Sequence, residues 1–262
     1  MTMLGWVNWV DGGGVVLGGS AGPETLPPSH LQQVDVSDEA WAWWADGPDP
    51  YVTVDFGTPR PVGALSLLGI GADMTPVTMR VRASNAGVGM TDGVVLDSGL
   101  VSAHCAPGIA VARTGMAIHL PAAETTARCW RIDLPGTGKL RAGRLFLGPI
   151  HRFLAGAAYN WERVYNDPST QVRAPGAQLR SWSLPQWRTF QVDLPKLTRA
   201  EADSVALEVQ RAAGRTGDVL LIADERQAPL SPYAVWGVMS ASSVKQVRSQ
   251  RFSWSIKVEE RG

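Results

Sequence analysis

The 262-residue sequence is short of cysteine, tyrosine and charge. Its two cysteines, Cys105 and Cys129, are too few for a structural zinc quartet and lack the C-x-x-C spacing of a redox pair. They read as small buried hydrophobes of a reducing compartment, and their separation in space is left open. The four histidines, His30, His104, His119 and His151, show no metal-ligand spacing. Lys+Arg at 24 balances Asp+Glu at 24, so there is no electrostatic footprint for nucleic acid or an anionic membrane. The apolar stretch from Pro61 to Ala72 is interrupted by glycine and falls well short of the ~20 residues a membrane helix needs. No Asn-x-Ser/Thr sequon occurs. The opening, Met1 to Asp11, has no basic region and reaches an acid at once, which does not read as a secretory leader.

Glycine, proline and tryptophan are plentiful, at 28, 18 and 11 residues, and 45% of the chain is hydrophobic. That composition favours strands and turns over a helical bundle, and the length suits two domains at ~150 residues each. Residues 1–150 read as short strands separated by turns. Tyr51 to Phe56 alternates, with Val52, Val54 and Phe56 on one face and Tyr51, Thr53 and Asp55 on the other. Val62 to Leu68 is apolar on both faces, as a strand enclosed between layers would be. Trp6–Val10, Ala40–Trp44, Val77–Ser84, Val94–Leu96, Ala127–Leu134 and Gly143–Gly148 complete the series. Regular spacing with turn residues between predicts a β-sandwich of the jelly-roll kind.

Three segments in order carry a family resemblance. Tyr51-Val-Thr-Val-Asp55-Phe-Gly57, Val81-Arg-Ala-Ser84-Asn85 and Cys129-Trp-Arg131-Ile resemble the discoidin, or galactose-binding-like, jelly-roll family. Ala86 and Gly87 replace that family's Asp-Gly pair, and Trp130 stands where it has Tyr. The resemblance covers roughly residues 27–150 and implies a structural role for Asp55.

Residues 151–262 have a different pattern. Strands are predicted at 160–165, 178–184, 189–194, 218–223, 233–240 and 247–259, with one helix over 199–213. Thr198 and Glu201 form a capping box, and Gly214 supplies a left-handed stop. Ala202, Val205, Ala206, Val209 and Ala213 recur at helical spacing, so this stripe packs on a sheet. In the last strand Phe252, Trp254, Ile256 and Val258 share an inward face. This order resembles the tail-tube-like domain of tailed-bacteriophage distal tail and minor tail proteins. The stretch Leu194-Pro-x-Leu-Thr-x-Ala-Glu201 and the Arg144–Pro149 strand before the boundary carry that likeness.

The resemblance implies a mainly β, non-enzymatic virion component at the tail tip, made in the bacterial cytoplasm. Its expected partners are its own copies, in a ring of six or three, together with the tail tube protein and tail hub or tip proteins. Phe252, Trp254, Ile256 and Val258 are the candidate ring or core positions. The alternative is an adhesin module for host-surface glycans, with Trp43 and Trp44 as stacking platforms and Asp46 and Asn85 as hydroxyl partners. Against it, Trp41, Trp43 and Trp44 suit the interior of a sandwich or an interface equally well. Gly18-Gly-Ser20-Ala-Gly22 matches a nucleophile-elbow pattern, but Pro23, Pro27 and Pro28 deny it the following helix. No catalytic residue, cofactor or metal site is expected.

Overall fold

The computed structural model describes residues 1–20, 26–32, 42–70, 78–105, 115–154, 156–157, 161–173, 176, 178–184 and 186–261. The strands are β1 (Thr2–Gly5), β2 (Val16–Gly19), β3 (Trp43–Ala45), β4 (Tyr51–Val62), β5 (Ala64–Ile70) and β6 (Thr78–Ser84). There follow β7 (Val94–Ser102), β8 (Gly115–His119), β9 (Thr125–Asp133), β10 (Leu140–Ala142), β11 (Arg144–Gly148) and β12 (His151–Phe153). The later strands are β13 (Glu162–Asn166), β14 (Thr170–Arg173), β15 (Leu179–Trp182), β16 (Trp187–Leu197), β17 (Asp218–Ile222), β18 (Ala234–Arg248) and β19 (Arg251–Glu260).

A strand that is apolar on both faces needs a core on each side, and β5 and β11 meet that need literally. With β8 they form a three-stranded antiparallel sheet in the order β11-β5-β8. One face of this sheet sends Leu65, Leu67, Ala117, Leu145 and Leu147 into a core shared with the five-stranded sheet β2-β4-β9-β6-β7. The alternation in β4 places Val52, Val54 and Phe56 in that core, opposite Trp130 and Ile132 of β9 and Val81 of β6. These two sheets are the expected β-sandwich. The opposite face sends Leu68, Met116, Ile118 and Phe146 into a second core, against Met3, Leu220, Ile222 and Trp236 of a seven-stranded sheet.

That larger sheet has the order β12-β1-β17-β18-β19-β16-β13. Its far side packs Leu4, Val192, Val235, Trp254, Ile256 and Val258 against the helix at 199–212. The helical stripe is as the spacing implies: Ala202, Ala206, Val209 and Ala213 are buried and Val205 packs at the edge. Thr198 Oγ1 accepts from the Glu201 amide at 3.2 Å, and Glu201 Oε2 accepts from the Thr198 amide at 2.8 Å, closing the capping box. Gly214 has φ +52°, the left-handed conformation that ends the helix. The middle of the helix, Glu201–Ala206, is wound as a π-helix rather than in the expected α form.

Three expectations need correction. The first strand is Thr2–Gly5, whereas Trp9–Asp11 is a 3₁₀ turn whose Val10 amide is capped by Asn8. This β1 lies between β12 and β17 in the seven-stranded sheet, so that sheet draws its second strand from the opening of the chain rather than from residues 151–262 alone. Met3 and Leu4 face opposite cores, which only an interior position satisfies. The expected strand over 247–259 is a hairpin: β18 ends at Arg248, Gln250 turns with φ 57°, and β19 begins at Arg251. A turn without glycine, proline or asparagine gives no ordinary signal in sequence.

Candidate functional site

The four residues proposed for glycan contact are not brought together. Trp43, on β3, is fully buried in the sandwich core, paired with Ala142 of β10, so its ring has no face for a surface ligand. Successive side chains of a strand point to opposite faces, and Trp44 accordingly remains half-buried opposite Arg141. Asp46 is exposed just beyond, 3.5 Å from Lys139 Nζ. Asn85 follows β6 at the other end of the five-stranded sheet, where its Oδ1 accepts from the Arg128 amide at 3.1 Å. The register sets Arg80 beside Asp133 and Ser84 beside Cys129, so roughly 13 Å of strand separates the two ends at ~3.3 Å per residue. Trp41 lies outside the described residues.

The outer face of the five-stranded sheet closes its charges on one another. Arg80 binds Asp97 through two bonds of 2.9 and 2.5 Å, and Arg82 and Arg131 converge on Asp133 at 2.7 and 2.8 Å. Arg131 also lies 4.1 Å above the Tyr51 ring. The Arg80 guanidinium, with the Gly99 amide, holds the Asp97 carboxyl down to about 2. Asp55 grips Arg128 at 2.8 and 2.7 Å and accepts from the Gly57 amide, a structural role that leaves it no lone pairs to spare for ligand. Hydrogen bonding from Arg128 accordingly lowers its carboxyl below the usual range.

The remaining chemical candidates are spent on the fold. Ser20 of the elbow-like pattern accepts from the Tyr51 amide at 2.8 Å while its own amide bonds the Tyr51 carbonyl. Cys105 and Cys129 are buried free thiols, and burial pushes the Cys105 thiol up to about 11. His119 is pushed down to about 4 by burial and by neighbouring His104. Among the described residues, no cluster of three or more His, Cys, Asp or Glu is placed to hold a metal, and no helix is long and apolar enough to cross a membrane.

The second sheet uses its proposed positions internally. Trp254, Ile256 and Val258 are buried against the helix, with Phe252 at the margin. The Trp254 indole donates to Ser242 Oγ at 2.9 Å, an oxygen that also accepts from Gln210 of the helix. What the sequence did not single out is the ribbon that leaves the edge of this sheet. Beyond the last β13–β16 pair, Asn166 opposite Trp187, the chain continues into β14 and β15, which pair only with each other. Asp167 and Ser169 pin the base: Asp167 accepts from the Ser169 amide and the Gln186 side chain, and Ser169 Oγ accepts from the Leu184 amide. All eight residues of β14 and β15 are exposed, including Val172 at 53%, Leu179 at 57% and Trp182 at 52%.

No protein-family model matches the sequence, and no curated protein does. Solved structures with a similar chain path include a fucolectin from Morone saxatilis serum, at 12% identity and TM-score 0.41, covering 74% of this chain and 71% of that one. A Streptococcus pneumoniae fucose binding module is similar at 12% identity and TM-score 0.38, with 55% of this chain and 96% of that one covered. A Ruminococcus gnavus GH29 fucosidase shares 12% identity at TM-score 0.38, and this chain spans only 27% of its length. Likeness at this level concerns the mainly β, galactose-binding-like shape alone.

Proposed function

We propose that this chain is a structural protein that assembles with its own copies through the second sheet and its ribbon. In the terms of its sequence resemblance, it would be a ring-forming tail-tip component of a long-tailed bacteriophage. The observation that carries the self-assembly is the β14–β15 ribbon. A two-stranded hairpin is marginal by itself in water, and this one exposes Val172, Leu179 and Trp182 with Leu184 beside them. Such an arm gains stability when it lies on another surface. The edge beside it, β13, keeps an unbroken register with β16 and exposes Val164 and Tyr165, so it offers a regular template for strand addition. An arm reaching from one copy to a different surface of the next is a heterologous contact, which closes into a ring when the rotation permits. Light scattering and imaging of the purified chain test this: a ring is expected, and replacing residues 170–182 by a tight turn should leave monomers with an intact fold. A parent that is monomeric alone and in purified particles would overturn the proposal.

A second reading is glycan adhesion, the property named for the fucolectin and the fucose binding module. One feature of this chain favours it: half-exposed Trp44 stands beside exposed Asp46 and Lys139, an aromatic face with polar neighbours. Saturable glycan binding that Trp44→Ala abolishes, with assembly unchanged, would support it.

A further inference from the structure

Where the sandwich meets the seven-stranded sheet, the segment after β1, strand β11, strands β17 and β18 and the end of the helix surround a cleft of about 240 Å³. Its walls include two indoles, Trp6 and Trp236, two carboxylates, Asp11 and Asp218, and one guanidinium, Arg144. The Trp6 ring is held by a 3.3 Å bond from its N–H to Glu208. Arg144, 1% exposed, spends Nη2 on Asp11 at 2.7 Å and Nη1 on the Gln32 carbonyl, yet its Nε–H has no acceptor among the described residues. The indole N–H of Trp236, a residue 3% exposed, is likewise without an acceptor. Two orphaned donors in one buried wall are uncommon, because desolvating them without compensation is costly.

We propose that this cleft binds one ring of a neutral polyhydroxylated compound, a monosaccharide unit or cyclic polyol. Charge selects the class. Arg261 donates to Asp218 at 2.5 Å, so Asp11, Asp218, Arg144 and Arg261 sum to zero, and neither an anion nor a cation is favoured. Hydroxyl groups both donate and accept. They can give protons to the outward lone pairs of Asp11 and Asp218 and take them from Arg144 and Trp236. Indole faces suit the C–H surface of a saturated ring, and a cleft of this volume lies just below the range of drug-sized ligand sites. Burial raises the Asp11 carboxyl, against the pull of Arg144 and with a push from Asp218, and burial raises Asp218 as well. Both acids are thus poorly hydrated acceptors. The position is a junction between two packed bodies, where ligand sites concentrate. It is remote from the Trp44 end of the sandwich and independent of self-assembly.

The test is titration of the full-length chain with D-galactose, L-fucose, D-glucose and N-acetyl-D-glucosamine, with glycerol as the acyclic control. Indole fluorescence and NMR report binding. Ala212→Phe, at an exposed position on the cleft wall, should fill the space and weaken binding at least tenfold without changing the melting temperature. If that variant fails to fold, Thr216→Trp on the following turn makes the same test. Trp44→Ala should leave affinity unchanged. Saturable binding lost in the filled variant and kept in Trp44→Ala upholds the proposal. No saturable response to any ring compound means that the cleft holds water only and overturns it. Binding that survives filling, or that disappears in Trp44→Ala, places any sugar elsewhere and overturns it equally. Light scattering on the same samples reads assembly separately.

Discussion

The two ends of this molecule handle their edges in opposite ways. In the sandwich, edge strand β7 exposes Val94, Val95 and Leu100, but its pairing with β6 slips between Arg80 and Arg82 and again between Ala83 and Ser84. Gly99 turns the chain with φ +61°, and Arg80 ties down Asp97. Irregularity and charge are how sheets blunt an edge. At the far end of the other sheet, β13 pairs without a break and extends into an apolar ribbon. A sheet edge becomes an interface when such protection is absent, so the comparison directs attention to the ribbon and away from β7. Between the two ends, the three-stranded sheet serves both cores and ties them into one cooperative body.

The strongest way to break this picture is Phe146→Ala. Phe146 is fully buried, points into the core between the sandwich and the larger sheet, and contacts Trp236 at 5.4 Å between ring centroids. Its loss should cost about 3–5 kcal/mol. Calorimetry should show a single transition displaced as a whole. Two transitions with only one displaced would mean that the halves fold separately. Trp254→Ala on the helix-covered face should cost a similar ~3–5 kcal/mol, since it empties a fully buried site.

Acid should weaken the junction next. His119 is a base kept neutral, with its ordinary value near 6.5 lowered to about 4. Between those values the unfolded chain binds the proton and the folded chain does not. Stability therefore rises with pH across that window, and is lost as pH falls from about 6.5 towards 4. His119→Phe should flatten the dependence of melting temperature on pH there. A parent whose melting temperature is constant over this range would contradict the assignment.

Smaller effects sharpen the contrast. Thr198→Ala removes one half of the capping box and should cost about 1 kcal/mol by chemical denaturation. Trp182→Ala, on the exposed ribbon, should change stability by less than about 0.5 kcal/mol. It should nevertheless weaken self-association in sedimentation or light scattering. A large loss of monomer stability would show instead that Trp182 packs within its own chain.

Much of the local structure was legible in the residues. Alternation in Tyr51–Phe56 and Phe252–Val258 marked buried faces, since side chains along a strand repeat every two residues. Thr198, Glu201 and Gly214 marked both ends of the helix, because caps are local hydrogen bonds and local dihedral angles. The two-sided apolar run at Val62–Leu68 announced an enclosed strand, though not what enclosed it. Tertiary structure alone decided that Thr2–Gly5 would enter the larger sheet, that Trp43 would be buried and that Asn85 would stand apart from Asp46. It also brought Asp11 to Arg144, 133 residues away, and set both beside Asp218. Hydrophobic periods and capping bonds reach only a few residues along the chain. Which strands become neighbours depends on how whole layers bury their faces together, and no short pattern carries that information.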